Sequence, residues 1–169
     1  ASDVYKRQIP RTEQTKIELI WKLRMNKIQI INGPNLNLLG NREPDVYGTL
    51  SLEEIEKKIL KHVKERNYQI DLTFFQSNNE GEIVDCIQDS MKNANGIIIN
   101  AGGLSHTSVA ILDALLAIKA PKIEVHISNL FIREDFRHHS FISKGVNGII
   151  CGFGANGYLL AVDGIVNLL

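Results

Sequence analysis

The chain has only two cysteines, Cys86 and Cys151. They form no CxxC pair and lack metal-ligand spacing, which argues against a disulfide framework or a zinc cluster and leaves two buried free thiols as the expectation. No HxH or HExxH pattern occurs, and no carboxylate cluster would suit magnesium. No apolar run approaches the ~20 residues of a membrane helix. The first residues show no long apolar core of the kind a secretory leader carries. Charge of one sign is also lacking: Lys+Arg and Asp+Glu are each 19, so the formal net charge is zero. A general nucleic-acid binder usually carries a basic excess. The expectation is therefore a cytoplasmic protein with no metal or other cofactor, no membrane partner and no nucleic-acid partner.

What is present is an ordinary globular mixture, 44% apolar and 22% charged over 169 residues, a length that suits one domain. Residues 1–24 are weakly patterned and punctuated by Arg7, Pro10, Arg11, Lys16, Lys22 and Arg24. They are expected to be a poorly ordered extension, with at most a short amphipathic helix over residues 17–23. Met25 is expected to be the natural start, and residues 25–169 to form the domain.

From Lys27 strand and helix signals alternate. Residues 27–32 (KIQIIN) read as a first strand. Ser51-x-x-Glu54 is a capping box opening a helix, with Leu50 and Ile55 able to form its hydrophobic staple. Leu52, Ile55, Ile59 and Val63 then recur at helical spacing. Residues 69–75 read as a second strand, and Ile83, Val84, Ile87 and Met91 mark a second helix begun near Asn79. Residues 96–100 (GIIIN) form a third strand, apolar as a buried parallel strand should be. A third helix is predicted over 105–118, a fourth strand over 122–127, a fifth over 147–151 and a last helix over 156–169. This alternation predicts an α/β fold: a flavodoxin-like, doubly wound, five-stranded parallel sheet of order 2-1-3-4-5 with helices on both faces. Ligands in such sheets sit beyond the carboxyl ends of the strands, at the switch point beside strands one and three.

The chemistry-bearing residues cluster just after those strand ends. The first strand leads into a connection over residues 33–50, far longer than the ~2–6 residues usual there, containing Asn35, Arg42 and Tyr47. The third strand ends at Asn100, followed by Gly102, Gly103 and His106. The fourth contains Glu124 and His126 and leads to Ser128, Arg133, Arg137, His138 and His139. Each has an ordinary structural explanation: a loop Tyr or Arg as surface decoration, a strand-end His as a satisfied core residue, the His pair as a solvated charge run. Their joint placement at the predicted strand ends favours a site. Residues 152–157 (GFGANG) match GxGxxG, but the dinucleotide fingerprint needs a further strand with an acidic residue about 20 positions on, and the chain ends first. These glycines are read as permitting a tight turn and close packing.

Six blocks in order then carry a resemblance: INGPNLNLLG (31–40), REPDVYG (42–48), FFQSNNEGEIVD (74–85), INAGGLSHTSVAILDAL (99–115), EVHISN (124–129) and REDFRHHS (133–140). Together they resemble the type II 3-dehydroquinate dehydratases from about Lys27 onward. Residues 1–24 have no counterpart. Asn79 stands where that family often has His, and Asn41 where it often has Thr or a basic residue. The resemblance implies dehydration of 3-dehydroquinate to 3-dehydroshikimate through an enolate, without metal or Schiff base.

Carried over by motif, Tyr47 is the base, Arg42 the cation that lowers its pKa, and His126 the general acid. Asn35 and Asn100 are the holders of an enolate-stabilising water. Asn100, His106, Asp113, Ile127, Ser128 and Arg137 are implied substrate contacts. The substrate carboxylate is expected to meet the backbone of Ile127–Ser128, and Glu124 is expected to orient His126.

Asp113 interrupts a helix that is otherwise apolar nearly all round, whereas an outer helix should have a wet face. That points to a subunit interface. The family forms trimers assembled into dodecamers, in which the matching Asp reaches a neighbour's site. Among other function classes, a signalling receiver would need acids where Asn32 and Asn100 stand. A flavodoxin-like nucleotide-binding module rests on residues 152–157 alone.

Overall fold

A computed structural model describes residues 25–41 and 48–169. Expectations for residues 1–24, and for Arg42 and Tyr47, lie outside the described residues. Five strands, β1 (Asn26–Asn32), β2 (Ile70–Gln76), β3 (Gly96–Asn100), β4 (Lys122–His126) and β5 (Gly148–Cys151), form one sheet. All neighbouring pairs are parallel, in the order β2-β1-β3-β4-β5. The helices are α1 (Leu52–Glu65), α2 (Glu80–Asn93), α3 (Val109–Leu116) and α4 (Asn156–Val166).

The sheet separates two apolar cores. Successive side chains of a strand point to opposite faces, so Ile28, Ile30, Ile98, Ile123 and Val125 join Ile55 and Ile59 of α1 and Tyr158, Ala161, Val162 and Ile165 of α4. Ile31, Ile97 and Ile99 face the other way, onto Ile83 and Ile87 of α2 and Ile111, Ala114 and Leu115 of α3. The continuous apolar run of β3, buried along its whole length, follows from this double coverage.

The capping box of α1 is formed in both directions: the Ser51 hydroxyl accepts from Glu54 N–H at 3.2 Å, and the Glu54 carboxylate accepts from Ser51 N–H at 2.8 Å. Leu50 packs against the core that contains Ile55, as a staple would. Asn79 caps α2.

The third helix differs from expectation. It begins at Val109, not at residue 105, because Ser108 is extended and its hydroxyl accepts from Ile111 N–H at 2.9 Å, making Ser108 the cap. Gly102–His106 is instead a 3-10 segment. The last helix also stops earlier, at Val166. Both cysteines are free but half-buried, less enclosed than expected, and burial pushes the Cys86 thiol up to about 11. The GFGANG segment makes the turn between β5 and α4, with Gly152 and Gly154 at φ 86 and 58. No helix among the described residues is long and apolar enough to cross a membrane.

Candidate active site

The ends of β1, β3 and β4 converge because β1 and β3 lie side by side, with Asn32 opposite Asn100, while β4 flanks β3. Past these ends the chain is drawn tight. Gly33 N–H donates to Asn100 O at 2.7 Å, and a Cβ on Gly33 would lie 2.3 Å from Ala101 O. Only glycine lets the two loops approach this closely. Asn35 follows in the left-handed region, φ 66, its N–H donating to Asn78 Oδ1 at 2.9 Å.

Between the loops lies a cleft of about 140 Å³, below the roughly 300–1,000 Å³ of drug-sized sites and suited to a compact ligand. Asn35, Asn100, His106, His126, Ile127, Ser128 and Arg137 all line it. Glu124 stands behind His126. Asp113 does not reach this cleft: it is exposed on α3, beside a separate groove between α2 and α3.

The β4 sequence KIEVH explains the wall. Ile123 and Val125 face the α1–α4 core, which turns Lys122, Glu124 and His126 to the other face, all buried. Lys122 Nζ donates to Ile118 O and Ala120 O at 2.6 and 2.9 Å, tying down the connection between α3 and β4. Glu124 is fully buried and fully engaged. Its Oε1 accepts from His126 Nε2 at 2.6 Å and from the Ser140 hydroxyl at 2.7 Å, and its Oε2 accepts from the Ser143 hydroxyl at 2.5 Å. Burial pushes the Glu124 carboxyl up, but the bonds from His126, Ser143 and Ser140 together outweigh it and hold the group below the usual carboxylate value.

A carboxylate only accepts, so His126 carries hydrogen on Nε2, leaving Nδ1 as the nitrogen for proton transfer. His106 stacks beside His126 with ring centroids 6.1 Å apart. Its Nδ1 donates to His139 O at 2.8 Å. Burial draws the His106 pKa below the ordinary histidine value; the His139 bond opposes this, while His126 and Arg137 reinforce it. A neutral His106 then offers Nε2 as an acceptor, suited to a hydroxyl. Arg133 also lines the cleft, and Glu134 accepts from the Nε of both Arg137 (2.9 Å) and Arg133 (3.3 Å). Among the described residues no group of three or more His, Cys, Asp or Glu side chains converges as metal ligands would.

The arrangement, two imidazoles, two carboxamides and two guanidiniums over a compact cleft at the switch point, offers proton donation and polyol binding together. The family model for class II dehydroquinases matches residues 26–166.

The chain belongs to the class II dehydroquinase family.

It is 55% identical over 145 residues to the 3-dehydroquinate dehydratase of Halothermothrix orenii, covering 86% of this chain and 97% of that one. The enzyme of the same name from Prochlorococcus marinus (strain NATL1A) is 54% identical over 140 residues, covering 83% and 95%. The crystal structure of type II dehydroquinase from Butyrivibrio crossotus DSM 2876 superposes with a TM-score of 0.80 at 45% identity, covering 83% of this chain and 97% of that one. The five-stranded order is thus a type II dehydroquinase fold, as the six sequence blocks implied.

Sequence reasoning gave no role to several residues at or behind the cleft. Arg133 was visible beside Arg137 in the REDFRHHS block. Ser140 and Ser143 become partners of Glu124 only once the segment after β4 folds back, and their hydroxyls carried no sequence signal. Tyr158 and Asn32, buried beneath Asn100, were hidden in an apolar helix and a strand end.

Proposed function

We propose that this chain is a metal-independent hydro-lyase that dehydrates 3-dehydroquinate to 3-dehydroshikimate, in aromatic amino acid biosynthesis by the shikimate route or in quinate breakdown. Family membership supplies the substrate. The observation that carries the site is His126 at the cleft wall with its ring fixed by the buried Glu124 carboxylate.

The Tyr47 phenolate removes the proton next to the ketone, and the electron pair moves onto the ketone oxygen as an enolate. The enolate collapses to a conjugated enone and expels the hydroxyl, which takes a proton from His126 Nδ1 and leaves as water. A free Tyr has a pKa near ~10. To act near neutrality the phenol needs a lower value, and Arg42, five residues earlier in the sequence, is the cation that would favour the phenolate. Asn35 and Asn100 hold the water that meets the enolate oxygen. His106 and Arg137 take ring hydroxyls, and the backbone of Ile127–Ser128 takes the carboxylate.

Residues 25–169 are the catalytic domain in this reading, and residues 1–24 are dispensable. The assembly is a dodecamer of trimers in the cytoplasm. In it Asp113, exposed on an α3 face that also exposes Val109 and Leu116, reaches a neighbour's site. The test is growth of enone absorbance when 3-dehydroquinate is added, with borohydride present in a parallel reaction. Growth in both supports the reading. Activity abolished by borohydride would indicate an imine mechanism, and no growth would refute the substrate.

A further inference from the structure

Beneath the cleft floor, one helix is tied to the ends of two strands by a single hydroxyl. Tyr158 of α4 is fully buried, and Asn32 and Asn100 are 1% and 3% exposed. The Tyr158 hydroxyl donates to Asn32 Oδ1 at 2.6 Å and accepts from Asn100 Nδ2 at 2.9 Å. Asn100 Oδ1 accepts from Gly102 N–H at 3.2 Å.

These contacts leave the Asn100 amide one orientation. A phenol has one hydrogen to donate. Given to Asn32 Oδ1, it leaves the Tyr158 oxygen only an acceptor toward Asn100, which must therefore present its NH₂. The Gly102 N–H independently demands the carbonyl oxygen on the other side. One Nδ2 hydrogen is consumed by Tyr158, and the second is what Asn100, a residue of the cleft wall, has left to give. In a buried site a freely turning amide would present its oxygen there part of the time. An oxygen facing a developing enolate would repel it.

We infer that Tyr158 is a positioning residue: from α4 it fixes the Asn100 carboxamide so that an N–H, never the carbonyl, faces the oxygen that gains negative charge, or the water bound to it. This rests on the dehydratase reading above. Preorganised donors aimed at developing charge act chiefly on the transition state, so loss of the hydroxyl acts on kcat more than on KM.

The experiment is a double-mutant cycle in the full chain, with 3-dehydroquinate as the probe. Wild-type enzyme that does not dehydrate it refutes the functional reading itself. If wild type turns over and Asn100→Ala is equally fast, Asn100 has no such role and the inference falls while the dehydratase reading stands. With Asn100→Ala impaired, Tyr158→Phe is expected to lower kcat by roughly ten- to a hundredfold, the scale of a small misplacement of a reacting group, with KM within about threefold. In the Asn100→Ala background the same substitution should change kcat less than about twofold. An equal loss in both backgrounds, or no loss in the first, overturns the inference. Asn32→Ala, which keeps the phenol but releases its hydrogen, should show a smaller loss with the same dependence on Asn100. It decides the matter if Tyr158→Phe does not fold, and an Asn32→Ala effect independent of Asn100 then counts against positioning.

Discussion

Replacing Glu124 by Gln removes a buried charge and little else. The Glu124 carboxylate accepts three hydrogen bonds, from His126 Nε2, Ser140 and Ser143. A glutamine whose oxygen occupies the Oε1 position can still accept from His126 and Ser140, while Ser143 turns its hydroxyl to accept from the new NH₂. What is lost is charge assistance to a protonated His126. Bonds to charged groups contribute about 1.5–3 kcal/mol against about 0.5–1.5 kcal/mol for neutral ones. The difference, about 1–1.5 kcal/mol, is roughly tenfold in rate. Glu124→Gln should therefore fold, bind substrate and turn over about tenfold more slowly. Glu124→Ala instead strands three donors in a dry site and should cost about 3–5 kcal/mol of stability, a large share of the ~5–15 kcal/mol typical of a domain.

Acid stability gives an independent reading. The folded Glu124 carboxyl is held below its ordinary value of 4.5. Its contribution is therefore fully present above that value and is lost as pH falls through the lowered one. Thermal melts should show wild type losing its advantage over Glu124→Gln only in that acid range. Wild-type turnover in Glu124→Gln would refute the account of His126 as an acid held by this carboxylate.

Three further outcomes are expected. Tyr47→Phe keeps the ring and loses the oxygen, so turnover should collapse while a substrate analogue still binds in calorimetry; retention of most turnover would remove Tyr47 as base. Gly33→Ala places a Cβ 2.3 Å from Ala101 O and should cost about 1–3 kcal/mol, seen as a melting point lower by several degrees, with kcat reduced because the loop bearing Asn35 is pushed away from the end of β3 that bears Asn100. Asp113→Ala should raise KM without lowering the melting point, and a fully active monomer in sedimentation would contradict a site completed by a neighbour.

Much of the fold was legible because β3 is buried on both faces and reads as an unbroken apolar run, while α1 announces itself with its capping box. The third helix starts later than residue 105 because Ser105 and Ser108 offer the same capping side chain in sequence, and it is the Ser108 hydroxyl that accepts from Ile111 N–H. In the site, the bond between Glu124 and His126 was accessible to sequence reasoning because residues two apart on a strand share a face. The Tyr158 hydroxyl was not: it joins residues 126 and 58 positions away, and only the sheet order brings them together. Asp113 interrupts an apolar helix in the sequence, and in the fold it is exposed on α3 away from the cleft.

The most direct measurement is steady-state dehydration of 3-dehydroquinate by wild type and by His126→Ala, followed as enone absorbance. The account predicts turnover in wild type and a fall of about 10²- to 10⁴-fold in the variant, the usual contribution of a positioned acid, with substrate still bound. A variant within a few-fold of wild type, or a wild type without turnover, would contradict it.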